Sequence, residues 1–362
     1  MRLHDRIAAR IRSEGPLRFD AFQEAALYDP EGGYYEREGR VGRGGDFVTG
    51  PSWHPAFGRT IARIARRLDL PDVVDIGAGE GELLAAADEA LRAWGVREQF
   101  RLVGVERSAV RRERALRNCP GATWLSSLEE ISFPISGLIV AYELFDALPV
   151  RALFFEGERL LERVVTLGPD GDGFAWGLAE CEDGAQLLQT LQARGIHLSK
   201  NQRLEIRPGA TRLASALGER LSSGLLLVFD YGAPVKALYS AARENGTLEA
   251  FVAHTVTRDV LSEPGSRDLT AWVDFTELAE TLAGTGLDVA GPVSQSRVLA
   301  SAGILEDLAI DADAPPNAAR EADRRAALAL VQPGGMGESI RVLLASRSTA
   351  LGSTLASWPR HK

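Results

Sequence analysis

Val73-Val74-Asp75-Ile76-Gly77-Ala78-Gly79-Glu80-Gly81 decides the fold. A short apolar run suited to a buried strand ends in alternating glycines, and Glu82 to Trp94 continues with helical periodicity. Glycines in a strand–helix turn permit left-handed backbone and let a ligand approach main-chain groups closely. From Gly77 the spacing is G-x-G-x-G. A dinucleotide-binding turn needs G-x-G-x-x-G, and Glu82 takes the place of its third glycine. A carboxylate at that helix start would repel a pyrophosphate, whereas S-adenosyl-L-methionine carries no phosphate. The loop therefore favours the methyl donor over a dinucleotide, with Asp75, Gly77, Gly79 and Gly81 as cofactor-binding residues.

Outward from the loop, strands and helices alternate. Arg101 to Glu106 reads as a second strand, and Glu106 at its end can accept hydrogen bonds from both hydroxyls of a ribose. Ser108 caps a helix running to about Asn118. Ala122 to Leu125, Leu138 to Ala141 and Leu225 to Asp230 are further strands, and Leu287 to Gln295 and Ile340 to Ala345 supply two late ones. This rhythm predicts an α/β, Rossmann-like domain whose parallel sheet is covered on both faces. Two stretches break it. Val150 to Gly177 reads as a β-meander, and Gly232 to Asp274 as a long irregular segment of the kind that is often functional. The expected organisation is an N-terminal helical layer over 1–70 and a donor-binding core over 71–149. An inserted meander with helices follows over 150–223, then the rest of the sheet over 224–362, with a substrate-side insertion at 232–274.

Composition excludes several classes. The 362 residues are 45% apolar and 25% charged, as in ordinary globular proteins. No apolar run approaches the roughly 18–20 residues that cross a bilayer, and Met1 to Gly15 reads as an amphipathic helix rather than a secretory signal. A cytoplasmic protein without membrane partners is expected. The net charge of −9 argues against nucleic acid. Cys119 and Cys181 form no Cys-x-x-Cys pair, and the five histidines have no metal-ligand spacing, so no metal is expected. Monomer and homodimer both stay open.

Longer blocks carry a resemblance. FDAFQEAALYDPEGGYY (Phe19 to Tyr35), GRGGDFVTGP (Gly42 to Pro51) and VVDIGAGEGELL (Val73 to Leu84) come first. ELFDALPVR (Glu143 to Arg151), FDYG (Phe229 to Gly232), DLTAWVDFTELAE (Asp268 to Glu280) and GGMGESIRVLL (Gly334 to Leu344) follow. In this order they resemble the MidA family of class I methyltransferases, bacterial and mitochondrial proteins whose mitochondrial member assists complex I assembly. The resemblance implies a seven-stranded, mostly parallel sheet with an N-terminal lid layer, S-adenosyl-L-methionine as donor, and an arginine of a protein substrate as acceptor. Four positions depart from the family pattern: Ser52 for Glu, Ser126 for Asp, Tyr142 for Asn and Trp272 for His. Ser126, after the third strand, stands where a carboxylate would meet the adenine amino group.

Methyl transfer from a sulfonium is an in-line displacement, so positioning dominates. A guanidinium is a poor nucleophile, and clamping carboxylates can orient one nitrogen and concentrate electron density on it. Glu143 and Asp146 follow the fourth strand, at the sheet edge where ligands of open α/β folds sit. Glu143 is expected to be the main clamp and Asp146 to assist, with capping of the turn at Ala147 to Pro149 as the rival role for Asp146. Tyr231 and His254 are candidates for the acceptor pocket, and each could equally be a packed structural residue. Thr49 is a candidate for the donor lid, or a simple turn hydroxyl. A small-molecule O- or N-methyltransferase, and a non-catalytic assembly factor retaining the fold, are the alternatives.

Overall fold

The computed structural model describes residues 1–37, 49–252, 255–308 and 318–348. The chain divides into two compact units that interleave along the sequence: Met1–Arg40, Phe145–Leu213 and Gly232–Leu278 form the first, and Val41–Leu144, Ala214–Tyr231 and Ala279–Lys362 the second.

Among the described residues the second unit contains a seven-stranded sheet: β1 (Asp72–Ile76), β2 (Arg101–Val105), β3 (Thr123–Leu125), β4 (Ile135–Tyr142), β5 (Leu221–Asp230), β6 (Asp288–Ser294) and β7 (Arg341–Arg347). Their spatial order is β6-β7-β5-β4-β1-β2-β3. β5, β4, β1, β2 and β3 pair in parallel, while β7 runs antiparallel to both β5 and β6, so the fold is mixed α/β. Register explains why the central strands read as unbroken apolar runs. Val73, Leu138 and Leu225 align on one face and Val74, Ile139 and Leu226 on the other, and all six are buried. Each such side chain contributes roughly 1.5–3 kcal/mol, which makes the sheet centre the rigid platform for the loops at its ends. One face is covered by the helices Ala56–Arg67, which buries Phe57, Ile61 and Ala65, and Glu82–Ala93, which buries Leu83, Leu84, Ala87 and Leu91.

In the first unit, Arg151–Phe155, Leu160–Leu167 and Phe174–Glu180 form the antiparallel meander, and Gln202–Ile206 adds to its edge. The helices Leu3–Glu14 and Phe19–Tyr28 belong to this unit, and the two residues between them that form a strand, Leu17 and Arg18, pair with Val165 and Val164. Phe19 lies 5.1 Å from the Trp176 ring. The N-terminal segment is therefore built into the meander's unit up to Glu36. Of the stretch expected to act as a lid, residues 42–48 lie outside the described residues.

The reading of Gly232 to Asp274 as irregular needs correction. It contains the helix Val235–Leu238 and a small antiparallel sheet of Glu249–Val252, Thr255–Thr257 and Asp268–Thr270. Strands of three or four residues are too short to show an alternation that separates them from loop. Arg207 ties this insertion to the start of the meander. Its guanidinium donates to the carbonyls of Asp146 (2.9 Å), Leu148 (2.9 Å), Ala271 (2.7 Å) and Trp272 (3.3 Å).

Candidate functional site

The sheet order reverses between β1 and β4, and the carboxyl ends of these two strands carry the glycine loop and Glu143. Such a switch point is where open α/β sheets bind ligands. In the loop, Gly77, Gly79 and Gly81 have φ of 73°, 57° and 85°, left-handed values that side chains disfavour. The amides of Gly77 and Ala78 both donate to the Val105 carbonyl, at 2.8 and 3.0 Å, which holds the loop against the end of β2. The three glycines are not equivalent. A Cβ on Gly77 would lie 2.8 Å from Leu144, and one on Gly81 2.8 Å from the Trp124 ring, whereas one on Gly79 would meet nothing within 4 Å. Gly79 thus faces open space, as the floor of a ligand cradle must. Alanine at Gly79 or Gly81 is expected to cost about 1–2 kcal/mol in backbone strain. Gly81→Ala adds a clash with Trp124, so thermal unfolding should show it to be the less stable variant. Equal losses would contradict the packing of Trp124 on the loop.

Glu106 follows β2 and is buried, and its carboxylate accepts from the amides of Gly79 (2.9 Å) and Ser108 (2.8 Å). Two fixed amides orient the carboxylate beside the cradle. Asp75 is buried at the end of β1, and burial, with Glu82 and Glu106 nearby, pushes its carboxyl up to about 8. Burial likewise raises the Glu82 carboxyl at the helix start. An anionic pyrophosphate would meet a cluster of carboxyls here, while a cation would relieve their repulsion. Ser126 follows β3, and its hydroxyl is engaged by Glu130, whose carboxylate also accepts from the Ser126 amide at 3.1 Å. A carboxylate, that of Glu130 four residues on, thus lies beside Ser126. Sequence reading passed over Glu130 because its link to Ser126 appears only once the turn after β3 has formed.

At the end of β4, Glu143 takes φ = 47°, a left-handed conformation rare for a residue with a side chain, while its amide donates to the Phe229 carbonyl at 2.8 Å. Strain of this kind concentrates at functional sites. Tyr142 beside it is a core residue. Its ring stacks on Phe229 at 5.4 Å and meets Phe57 edge-on at 4.9 Å, and its buried hydroxyl donates to Gln295 Oε1 at 2.9 Å. Tyr231 follows β5 and is half-buried against the same core. Thr49 and Ser52 close a capping box on the helix Gly50–Trp53, with the Thr49 amide donating to Ser52 Oγ at 3.1 Å. Asp146 belongs to the first unit, where it is buried and its carbonyl accepts from Arg207 and, at 3.2 Å, from the Ala271 amide. Trp272, also in that unit, lies under the Arg243 guanidinium at 4.4 Å. His254 lies outside the described residues.

A model of the family described as "Putative S-adenosyl-L-methionine-dependent methyltransferase" matches residues 56–293, from the helix before β1 through most of β6. The chain belongs to this family. S-adenosyl-L-methionine is the donor of this methyltransferase, and the dinucleotide alternative falls away. Among curated relatives, the mitochondrial protein arginine methyltransferase NDUFAF7 of Danio rerio is 26% identical, covering 82% of this chain and 76% of the relative. The Drosophila melanogaster homologue is 29% identical, covering 82% and 74%. A crystal structure of a Burkholderia thailandensis protein bound to S-adenosyl-homocysteine is 30% identical, covers 96% of this chain and 92% of that one, and superposes with a TM-score of 0.84. Together these bear out the resemblance to the MidA family.

Proposed function

We propose that this methyltransferase methylates an arginine side chain of a protein, and that Glu143 is the carboxylate that clamps it. The observation that carries the reading is the strained backbone of Glu143 at the switch point of the sheet. The names of the relatives, protein arginine methyltransferases, support it. Bound S-adenosyl-L-methionine supplies an electrophilic methyl on a sulfonium. The chain's own residues hold and orient. The backbone of Gly77, Gly79 and Gly81 forms the cradle, the Glu106 carboxylate receives the ribose hydroxyls, and Ser126 with Glu130 faces the adenine. Glu143 holds a guanidinium so that one nitrogen is presented to the methyl. In this reading the seven-stranded sheet is the class I methyltransferase sheet, and the stretch around Thr49 closes over the donor.

The donor's cationic groups belong beside Asp75. Because folding raises this carboxyl to about 8, its contribution to stability is fully present below its ordinary range and is lost as pH rises through about 8. A cation bound beside it lowers the pKa again, so donor binding at pH 7 is expected to release a proton. Calorimetry in two buffers of different ionisation enthalpy reads this directly. The binding heat should depend on the buffer, and Asp75→Asn should remove that dependence. A buffer-independent heat for the unaltered protein would contradict the placement.

Among the described residues no helix is long and apolar enough to cross a membrane. The mitochondrial names of the relatives lend the expected cytoplasmic placement no support. The acceptor is tested by mass spectrometry of cell proteins with and without this chain. Methylarginine sites that vanish in its absence are the expected result. Methylation lost only from a small metabolite would move the function to an O- or N-methyltransferase of small molecules.

A further inference from the structure

The meander of the first unit lines a cavity of ≈ 460 Å³. Register shows why charged and aromatic side chains converge on it. Arg163 pairs with Leu178, Val165 with Trp176 and Leu161 with Phe154, while Phe154 pairs in turn with Arg203. Positions 161, 163 and 165 alternate onto the same side of their strand, so Arg163, Trp176, Leu178, Phe154 and Arg203 share one face of the sheet.

Arg163 lies at the base of this group, only 8% exposed, with its guanidinium 3.8 Å over the Trp176 ring. Among the described residues its guanidinium makes no ion pair or hydrogen bond, and it stacks on the Trp176 ring. Burial and the nearby Arg203 pull its pKa down to about 10, with Glu205 acting in the opposite direction. Glu205 is itself buried and accepts from the Thr247 amide (2.8 Å) and hydroxyl (2.9 Å), and burial raises its carboxyl pKa, which weakens it as a counter-ion. Exposed Arg203 and Arg258 stand at the cavity's edge, and Phe154, Leu248 and Val260 give it apolar walls. A buried guanidinium without an anion is costly, and the cavity leaves room for one beside it.

We propose that this cavity binds a carboxylate carried on an apolar body, with the anion between Arg163 and the edge arginines and the body against Phe154, Leu248 and Val260. The chemistry is the same whether the carboxylate belongs to a free organic acid or to an acidic side chain next to an apolar residue in a peptide. It is independent of which group accepts the methyl.

The test is calorimetric titration of the full chain with phenylacetate, its neutral analogue phenylacetamide, the dipeptide N-acetyl-Glu-Phe-amide and inorganic phosphate. Phenylacetate is expected to bind, with phenylacetamide and the Arg163→Gln variant each weakening the interaction by roughly 10- to 100-fold, the range for loss of a charge-assisted hydrogen bond. Arg258→Gln, at an exposed position, should weaken it several-fold and carries the test if Arg163→Gln does not fold by circular dichroism. Tighter binding of the dipeptide than of phenylacetate assigns the site to a polypeptide, and the reverse to a free acid. Binding of phenylacetate and phenylacetamide alike, unchanged binding in both variants, or no binding of phenylacetate or the dipeptide would overturn the proposal. Tighter binding of phosphate than of either would overturn the apolar half of it.

Discussion

Glu143→Gln is expected to slow methyl transfer by roughly 10²- to 10³-fold, the scale on which one electrostatic stabiliser acts, while donor affinity stays unchanged. Glutamine keeps the length, planarity and hydrogen-bonding reach of the side chain and removes its charge. The backbone at this position is already held at φ = 47° by the Glu143–Phe229 hydrogen bond, so the substitution leaves the fold of the strand end as it is. The donor contacts proposed above lie elsewhere, on the Gly77–Gly81 turn and at Glu106. Initial rates with labelled donor, alongside calorimetry with S-adenosyl-homocysteine, separate the two effects. A rate within threefold of the unaltered enzyme would remove Glu143 from the site, and a parallel loss of affinity would make its role structural.

Arg207→Met should destabilise the first unit by about 3–5 kcal/mol, the scale on which removing one partner of a buried charged network acts. Methionine fills a similar volume but cannot donate, so the carbonyls of Asp146, Leu148, Ala271 and Trp272 all lose the donor that joins them. Stranded buried carbonyls cost about 1–3 kcal/mol each when no other donor reaches them. Marginal domains have only about 5–15 kcal/mol in all, so much of the reserve would go. Urea unfolding followed by circular dichroism measures it, and a loss below about 1 kcal/mol would show that Arg207 is not the link between these segments.

How much could be read in advance depended on how local each feature is. The glycine turn and the strands around it were legible because strand, turn and helix are consecutive, and each obeys its own periodicity. β4 proved longer than Leu138 to Ala141 because Ile135 to Gly137 continue the ladder beside Leu221 to Gly224. Thr49 with Ser52 was also within reach, since a hydroxyl followed three residues later by a polar side chain is a helix-start pattern. Tyr142 stood out in the sequence only as a departure from the family pattern, and its place in the core was not legible because its partners Phe57, Phe229 and Gln295 come from three distant segments. The Arg163 pocket likewise exists only through strand register, and nothing near Arg163 in the sequence announces Arg203 or Trp176 as neighbours.

The most direct test is transfer of tritium from methyl-labelled S-adenosyl-L-methionine to lysate proteins of cells lacking this enzyme, followed by hydrolysis and identification of the labelled amino acid. Label in methylated arginine with the unaltered enzyme, and its near absence with Glu143→Gln, is the predicted result. Label confined to small molecules or to another amino acid, or arginine label undiminished by Glu143→Gln, would contradict it.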